Sequence, residues 1–379
     1  MINKIETIFV FIGSLTGGGA ERVAVSLSEN LSDEFDVTVV TLGSKERDFY
    51  HLSESVNRVA MGLDGKTSGI NKIFSNTYRV YKFRRLLKKE KPDLVIAFMT
   101  RYAVIGLIAS FLLNNKVIVS ERNYPPKRAN HGMWELLRKY VYKYADLHIV
   151  QTPLIADWIE KNTHTDRVKI IPNSINWPIP VNDPILSPEK YLNNSDKLIL
   201  AAGTFKHQKG FDLLLESAND FLRNKPNWKL VILGDDKEEN AALTQTLKEK
   251  IECYGLKESV IMPGRAGNIG EWYKRADIFV LSSRYEGFPN VLLEAMASGC
   301  ACVSFNCKTG PSEMITHLEN GILVPECDVE TMSDQVIHLI DNPEIRKSMG
   351  EKATQVRDCF SEKYIMQHWK EEVKRVLSN

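Results

Sequence analysis

Cysteine is scarce in this sequence, and none precedes Cys253. No two of the six cysteines form a C-x-x-C pair, the spacing typical of zinc sites and dithiol redox centres. The pattern argues against a disulfide framework and a structural zinc site, and we expect buried, reduced thiols of a cytosolic protein. The six are Cys253, Cys300, Cys302, Cys307, Cys327 and Cys359.

Long hydrophobic runs are also missing. The longest, AVIGLIASFLL at residues 103–113, is about half of the roughly 20 residues that span a bilayer, so we expect no transmembrane helix. The apolar segment after Lys4 is too short for the core of a signal peptide and lacks a cleavage site. We expect it to form a first strand instead.

Net charge is nearly absent, at +1, but the two halves differ. Residues 1–172 hold 25 Lys and Arg against 18 Asp and Glu, whereas the remainder holds 24 against 30. A basic first half suggests a phosphate-rich or membrane-surface partner for that half. The length of 379 residues favours two domains, because one hydrophobic core seldom serves so long a chain.

Apolar runs alternate with helical patterns along the whole chain, except in residues 173–197, which hold four prolines. Such alternation is typical of parallel sheets covered by helices, and the proline-rich segment reads as a domain boundary. We predict an α/β fold of two doubly wound, Rossmann-like domains facing across a cleft. Their bounds are 1–175 and 196–360, with residues 361–379 forming a C-terminal helix that packs back on the first domain. Buried strands are predicted at 7–13, 35–42, 92–99, 115–121, 144–152, 168–174, 198–205, 228–236, 259–264, 276–283, 300–306 and 321–325.

A glycine-rich loop follows the first predicted strand. Gly17, Gly18 and Gly19 would let backbone N–H groups approach an anion closely, and the helix start adds a partial positive charge. The spacing is not G-x-G-x-x-G, which disfavours a nicotinamide dinucleotide site. The three consecutive glycines are compatible both with a phosphate site and with a simple tight turn. Arg22, one turn into the helix, either reaches an acceptor phosphate or lies on the surface.

Lys209 ends a second loop between a strand and a helix, which also contains Gly203. A lysine at this place can hold a diphosphate that gains charge as a bond breaks. A solvated surface lysine is the alternative.

The stretch SSRYEGFPNVLLEAMASG, residues 282–299, contains two glutamates eight positions apart. Glu286 lies in a turn, and Glu294 lies in a helical pattern, roughly 5–6 Å along the helix from its start. The backbone amides of residues 287–291 would suit phosphate oxygens or sugar hydroxyls. Glu286 could then bond sugar hydroxyls, and Glu294 could accept both hydroxyls of a ribose. The apolar neighbours of Glu294 argue against an ordinary surface glutamate.

Taken in order, GGGAERV, IIPNSI, KGFDLLLES, the E-x7-E pair and GPSEMI resemble a retaining glycosyltransferase of the family 4 type, with the two-domain GT-B fold. The resemblance covers nearly the whole chain and extends to bacterial O-antigen and capsule enzymes. It implies transfer of a hexose or N-acetylhexosamine from a nucleotide diphosphate sugar, UDP-linked on family grounds, to an acceptor hydroxyl. It also implies no metal and no cofactor. The sequence agrees, since no Asp-x-Asp ends a strand, and Asp235 and Asp236 are adjacent.

The same resemblance implies roles for particular residues. Glu286 and Lys209 would be catalytic: Glu286 would position the sugar and stabilise positive charge at its anomeric carbon, and Lys209 would meet the charge of the diphosphate. Glu294 would bind the ribose. The donor would be bound by Gly18, Gly19, Gly203, Lys209, Arg265, Arg284, Gly287, Phe288, Pro289, Asn290, Val291 and Glu294.

The chain departs from the family pattern at two places. The family usually has G-R-L where this chain has GTF at residues 203–205, so the diphosphate clamp lacks its arginine at Thr204. Lys206, Arg265 or Arg284 would replace it, and we favour Arg284. The family histidine that follows a first-domain strand is also missing, and one residue of the sequence ERN would touch the sugar in its place. The candidates are Glu121, Arg122 and Asn123.

Residues 72–93 and 127–144 combine basic and aromatic side chains. A basic amphipathic helix with aromatics is typical of an element that lies on a lipid surface, and a solvated helix face is the alternative. No nucleic-acid-binding fold accompanies the charge. If the membrane interpretation holds, the family resemblance implies a lipid-linked saccharide acceptor, an undecaprenyl-diphosphate glycan, and an anionic membrane surface as partner. The protein would then be cytoplasmic and peripheral on the inner face of the cell membrane.

Two other functions stay open at this point. A nucleotide-sugar epimerase of the same fold would act without an acceptor. A non-catalytic glycan-binding subunit is suggested only by the missing arginine at Thr204.

Overall fold

The computed structural model describes residues 5–65, 70–127, 132–234 and 241–379. The chain forms two compact units, of which unit 1 comprises Met1–Ser174 with Lys363–Asn379, and unit 2 comprises Ile175–Glu362. The proline-rich segment predicted as a boundary therefore belongs to unit 2. The adjacent aspartates Asp235 and Asp236 lie outside the described residues.

Unit 1 contains a sheet of seven strands, all paired in parallel. The strands are β1 Thr7–Ile12, β2 Asp36–Thr41, β3 Asn57–Ala60, β4 Leu94–Phe98, β5 Lys116–Ser120, β6 Leu147–Val150 and β7 Val168–Ile170. Their order is β3-β2-β1-β4-β5-β6-β7. Strand β3 was not predicted, because its four residues NRVA lie at the sheet edge, half-buried or exposed, and do not form an apolar run.

Helices cover both faces of this sheet. They are α1 Gly19–Leu31, α2 Ile70–Glu90, α3 Thr100–Ser110, α4 Met133–Val141 and α5 Pro153–Thr163. Alternate residues of β1 face opposite layers: Ile8 and Val10 pack in the core that includes α1, whereas Phe9 and Phe11 pack in the core that includes α2 and α3. Burial on both faces explains why the parallel strands read as continuous apolar runs.

Unit 2 contains a second sheet of six parallel strands. The strands are β8 Lys197–Ala202, β9 Trp228–Leu233, β10 Val260–Gly264, β11 Ile278–Leu281, β12 Ala301–Phe305 and β13 Ile322–Val324. Its helices are α6 Phe211–Phe221, α7 Ala241–Cys253, α8 Ile269–Arg275, α9 Asn290–Ala297, α10 Val329–Asp341, α11 Pro343–Ala353 and α12 Val356–Cys359, and the helix that follows them, α13 Glu362–Ser378, belongs to unit 1. The order β10-β9-β8-β11-β12-β13 reverses between β8 and β11. Ligands of open α/β sheets bind beyond the carboxyl ends of the strands at such a reversal.

Helix α13 contributes to the core of unit 1. Its buried residues include Trp369, whose ring stacks on Phe98 of β4 with centroids 6.4 Å apart. The guanidinium of Arg122 lies 5.2 Å from the Phe98 ring centroid and 5.4 Å from that of Trp369. The last helix and the carboxyl end of the first sheet therefore share one aromatic and cationic cluster.

The six cysteines are free thiols. Cys300, Cys302 and Cys307 are buried, but the expectation that all six are buried is wrong for the other three. Cys253 is the last residue of α7, Cys359 is the last residue of α12, and Cys327 lies in the turn before α10. At each of these places the chain leaves the core. The exposed cysteines are Cys253, Cys327 and Cys359.

The longest apolar run lies in and directly after α3, an 11-residue helix. Across the described parts of the chain, no helix combines the length and the hydropathy needed to cross a bilayer.

His148 on β6 makes the stability of unit 1 depend on pH. It is buried with Nε2 2.9 Å from the carbonyl oxygen of Tyr142, and burial lowers its pKa to about 4, although that carbonyl opposes the shift. Because the ordinary pKa is about 6.5, the unfolded chain binds more protons between pH 6.5 and 4. The contribution of His148 is therefore complete above pH 6.5 and lost as the pH falls towards 4, by at most about 3 kcal/mol.

Thermal unfolding between pH 7.5 and 5 measures this dependence. His148→Gln should flatten the fall in melting temperature, whereas His51→Gln, at an exposed position of the same unit, should not. Parallel curves for the two variants would show that His148 does not carry the effect.

Candidate functional site

Two loops of unit 2 meet beyond the carboxyl ends of β8 and β11, which are neighbours in the sheet. The hydroxyl of Ser282 donates to the carbonyl oxygen of Lys209 at 3.0 Å, and the amide of Arg284 donates to the carbonyl oxygen of Gln208 at 2.8 Å. These bonds bring the lysine loop and the glutamate loop together at the point where the strand order reverses.

Gly210 makes this approach possible. Its φ is +63°, and a Cβ built there would lie 2.0 Å from the carbonyl oxygen of Ser282. Both the backbone conformation and the space therefore exclude a side chain at this position.

Glu286 is 6% exposed, and three side chains donate to its carboxylate. The Nζ of Lys209 lies 2.6 Å and the Oγ of Ser283 lies 2.7 Å from Oε1, while the Nε2 of Gln208 lies 3.4 Å from Oε2. The hydroxyl of Thr309 donates to the backbone carbonyl of Glu286. Such partners offset part of the cost of removing a carboxylate from water.

The two residues predicted to be catalytic, Lys209 and Glu286, thus form a direct ion pair. Ser283 and Gln208 were missed in the sequence. Gln208 directly precedes Lys209 and Ser283 lies three residues before Glu286, but nothing in the motif shows that their side chains turn towards Glu286.

Helix α9 begins at Asn290, directly after the glutamate loop. The first amides of a helix have no partner within it, and they carry its positive partial charge. Phe288 is buried in the core, with its ring 5.7 Å from that of Phe360. A ligand at this loop would therefore meet backbone around Gly287, Phe288 and Pro289 rather than the phenylalanine ring.

Glu294, in the second turn of α9, is only 3% exposed. Its Oε2 accepts a hydrogen bond from the hydroxyl of Tyr273 at 3.0 Å. Tyr273 belongs to α8 and was also missed in the sequence, because 21 residues separate it from Glu294.

Arg284, favoured above as the replacement for the missing clamp arginine, forms an ion pair with Asp212. The two guanidinium–carboxylate bonds measure 2.8 and 2.6 Å, and Nη1 also donates to the carbonyl of His207 at 2.7 Å. Burial alone would raise the pKa of Asp212, but the hydrogen bonds and charge of Arg284 outweigh it and hold that pKa below its usual value. The hydrogen bond to Asp212 likewise raises the pKa of Arg284.

Arg284 thus ties its own loop to α6. Of the other two candidates, Lys206 is exposed after β8, and Arg265 is half-buried after the edge strand β10. A clamp role for either remains a prediction.

In unit 1 the glycine loop is capped by the chain itself. The amide of Gly18 donates to Oε2 of Glu21 at 2.6 Å, and the hydroxyl of Ser14 donates to Oε1 at 2.7 Å. Helix α1 begins at Gly19, and Arg22 lies half-buried in its first turn. A phosphate bound to the Gly18 amide would have to replace the Glu21 carboxylate there.

Glu121, directly after β5, points into unit 1. Its carboxylate accepts from the hydroxyls of Thr100 and Tyr142, each at 2.9 Å, and lies 3.8 Å from the guanidinium of Arg138. Burial and the charge of Glu121 raise the pKa of Tyr142. These contacts give Glu121 a structural role.

Arg122 is buried as well. Its Nη1 donates to Asn173 at 2.9 Å, and burial lowers its pKa to about 9 despite the opposing effect of Glu121. Asn123 is half-buried, with Nδ2 3.4 Å from the sulfur of Met99. Of the three predicted candidates, Asn123 is the one whose side chain is not fully buried.

The basic and aromatic segment of residues 72–93 forms α2 and presents two faces. Phe83 is buried and stacks on Phe11 with centroids 4.0 Å apart, whereas Phe74 and Tyr81 are 70% and 58% exposed. Arg79 is also buried, where it donates to the carbonyls of residues 63 and 65. The side chains of residues 70–73 and 127, and all of residues 128–131, lie outside the described residues.

Other exposed apolar side chains follow α3 and lie on or after α4, and both helices pack in the same layer as α2. The rings of Phe111 and Tyr144 contact each other, with their centroids 5.8 Å apart. Exposed basic residues accompany them, including Arg85, Lys88 and Lys139. We use the name aromatic surface for a set of exposed apolar side chains on α2, on α4 and in the segments that follow α3 and α4. The set consists of Phe74, Tyr78, Tyr81, Phe111, Leu112, Leu136, Tyr140 and Tyr144.

Two family models match the chain in succession. The model "Glycosyltransferase Family 4" matches residues 17–176, and "Glycosyl transferases group 1" matches residues 183–356. An uncharacterized glycosyltransferase of Methanocaldococcus jannaschii is 30% identical over 339 residues, covering 77% of this chain and 82% of that protein.

A second relative is the GalNAc-alpha-(1->4)-GalNAc-alpha-(1->3)-diNAcBac-PP-undecaprenol alpha-1,4-N-acetyl-D-galactosaminyltransferase of Campylobacter jejuni. It is 27% identical over 368 residues, and the match covers 96% of each chain. Among solved structures, Anabaena HepE in complex with UDP and glucose has a TM-score of 0.79 at 16% identity, over 98% of this chain and all of that one. This likeness confirms the predicted fold class of two Rossmann-like α/β domains.

Proposed function

The chain belongs to the glycosyltransferases of the family 4 type, and we propose that it moves a hexose or N-acetylhexosamine from a UDP-linked donor to a hydroxyl of a lipid-linked or surface-polysaccharide acceptor. The observation that carries this proposal is the Lys209–Glu286 pair of 2.6 Å, beside the start of α9. An ammonium and a helix N-terminus together suit the charge that develops on a departing diphosphate. The neighbouring carboxylate suits positive charge at the anomeric carbon.

Transfer occurs with retention in this proposal. The acceptor hydroxyl attacks the anomeric carbon from the face that the diphosphate leaves, the bond from that carbon to the diphosphate oxygen breaks, and a leaving-group oxygen takes the proton. Lys209 and the helix N-terminus neutralise the diphosphate, so the reaction needs no metal ion. Unit 2 binds the donor and unit 1 the acceptor.

Two comparisons support the proposed substrates. The Anabaena structure holds UDP, which favours a uridine nucleotide, with Glu294 on its ribose. The Campylobacter jejuni relative is named for an undecaprenol-linked saccharide, which favours a lipid-linked acceptor here.

The experiment that tests the activity is product analysis of the purified chain with UDP-sugars and an undecaprenyl-diphosphate saccharide. Release of UDP together with an extended lipid-linked saccharide supports the proposal. A free, altered nucleotide sugar would indicate an epimerase instead. Binding of the saccharide without any turnover of donor would indicate a glycan-binding subunit.

The aromatic surface supports a peripheral position on an anionic membrane at the cytoplasmic face. Each basic residue near such a surface contributes about 1 kcal/mol, so several together should favour anionic over neutral vesicles by about tenfold or more. Flotation with phosphatidylcholine vesicles, with and without phosphatidylglycerol, measures this preference.

Replacing Tyr78 and Tyr81 by serine should lower recovery with anionic vesicles, because the exposed rings supply the apolar contact. Tyr364→Ser is the matched control, since Tyr364 is similarly exposed on α13, outside the aromatic surface. Equal recovery of the unmodified chain with both kinds of vesicle would contradict membrane binding.

A further inference from the structure

Tyr273 and Glu294 form a buried hydrogen-bonded pair behind the proposed donor site. The tyrosine is 1% and the glutamate 3% exposed, and the hydroxyl lies 3.0 Å from Oε2. The pair joins α8 to α9, two helices that pack on each other. A carboxylate in so apolar a surrounding is costly without such a donor.

The position of the Tyr273 hydroxyl is set by the packing of its ring and backbone. The ring meets that of Phe279 on β11 edge to face, with centroids 5.8 Å apart, and the thiol of Cys300 contacts the carbonyl oxygen of Tyr273 at 3.2 Å. Close packing of this kind leaves a side chain little freedom. The hydroxyl is thus a rigid donor that restricts how the Glu294 carboxylate is oriented.

We propose that Tyr273 is a positioning residue for the ribose of the donor, acting through Glu294. This inference rests on the proposed function, and it adds a residue that determines how tightly the donor site holds the ribose. A carboxylate offers about four lone-pair sites, so accepting from Tyr273 is compatible with accepting from ribose hydroxyls. Because the tyrosine holds the carboxylate in place, little conformational freedom is lost when the ribose binds.

Tyr273→Phe separates this role from a merely structural one, since it removes only the hydroxyl and keeps the ring against Phe279. Titration calorimetry with UDP and with 2′,3′-dideoxy-UDP gives a thermodynamic cycle. We expect the Kd of UDP to rise about tenfold, the size expected for one hydrogen bond to a charged group. The Kd of dideoxy-UDP should change less than about twofold, because that ligand lacks the groups that Glu294 would bind.

Steady-state kinetics supply a second readout. In Tyr273→Phe the KM for the UDP-sugar should rise by a similar factor of about ten, while kcat stays within about twofold, as expected for uniform binding. Tyr254→Phe, at a half-buried tyrosine after α7, should change none of these values.

An equal change in the affinities for UDP and dideoxy-UDP, including no change in either, would overturn the role of Tyr273. So would an unmodified chain that binds both ligands equally well. An unmodified chain that binds no nucleoside diphosphate at all would overturn the proposed function itself, which is a different result.

A second variant covers the case in which Tyr273→Phe does not fold. The double variant Tyr273→Phe with Glu294→Gln removes the buried charge together with its donor, so no carboxylate is left unpaired. It should bind UDP no more tightly than dideoxy-UDP. A preference for UDP that persists in the double variant would contradict the inference.

Discussion

Replacing Glu286 by glutamine is expected to lower kcat by about 10³-fold while the KM for the donor changes only a few-fold. Glutamine keeps the size of the side chain but removes the charge that the proposal places beside the anomeric carbon. Preorganised groups of this kind contribute about 10²–10³-fold, and they act in the transition state rather than on the bound donor. Initial rates of UDP release at varied donor concentration measure both constants.

The matched control is Glu258→Gln, at an exposed glutamate of the same unit, which should keep full activity. Ser283→Ala should have a smaller effect, about tenfold, because it removes one donor to Oε1 and leaves Lys209 in place. A Glu286→Gln enzyme with more than a tenth of the normal kcat would rule out the catalytic role of this carboxylate.

Replacing Trp369 by alanine is expected to destabilise unit 1 by about 3–5 kcal/mol, the usual cost of removing a large, fully buried aromatic side chain. Trp369 lies on α13 and is fully buried, in one core with strand residues of the first sheet. The substitution would also remove one of the two rings that lie over Arg122, whose Nε and Nη2 are buried without a hydrogen bond to any described residue. A buried cation that loses such a contact adds to the cost.

Equilibrium unfolding in urea, followed by circular dichroism, measures the change in the free energy of unfolding. Trp369→Phe should lower the free energy of unfolding by roughly half as much as Trp369→Ala, because a smaller ring still covers Arg122. Gln367→Ala, at an exposed position of the same helix, should stay within about 0.5 kcal/mol of the unmodified chain. A Trp369→Ala protein as stable as this control would show that α13 contributes little to unit 1.

Periodicity alone was enough to predict both sheets. Strands buried on both faces give continuous apolar runs, and each of the twelve segments predicted as a strand contains a strand of one of the two sheets. The half-buried edge strand β3 lacks that signal and was missed. The residues of the E-x7-E motif were also visible, because their eight-residue spacing lies within one loop and one helix.

The sequence by itself therefore determined the fold class, the family and the identity of Lys209 and Glu286 as candidates, since these depend on local patterns and ordered motifs. Only the tertiary structure decided which side chains meet. The order of strands brings together loops that are 77 residues apart, pairs Arg284 with Asp212 and turns Glu121 into unit 1. The physical reason is that hydrophobic burial repeats along the chain and can be read from it. The partners of a polar side chain depend on which distant loop the sheet places beside it.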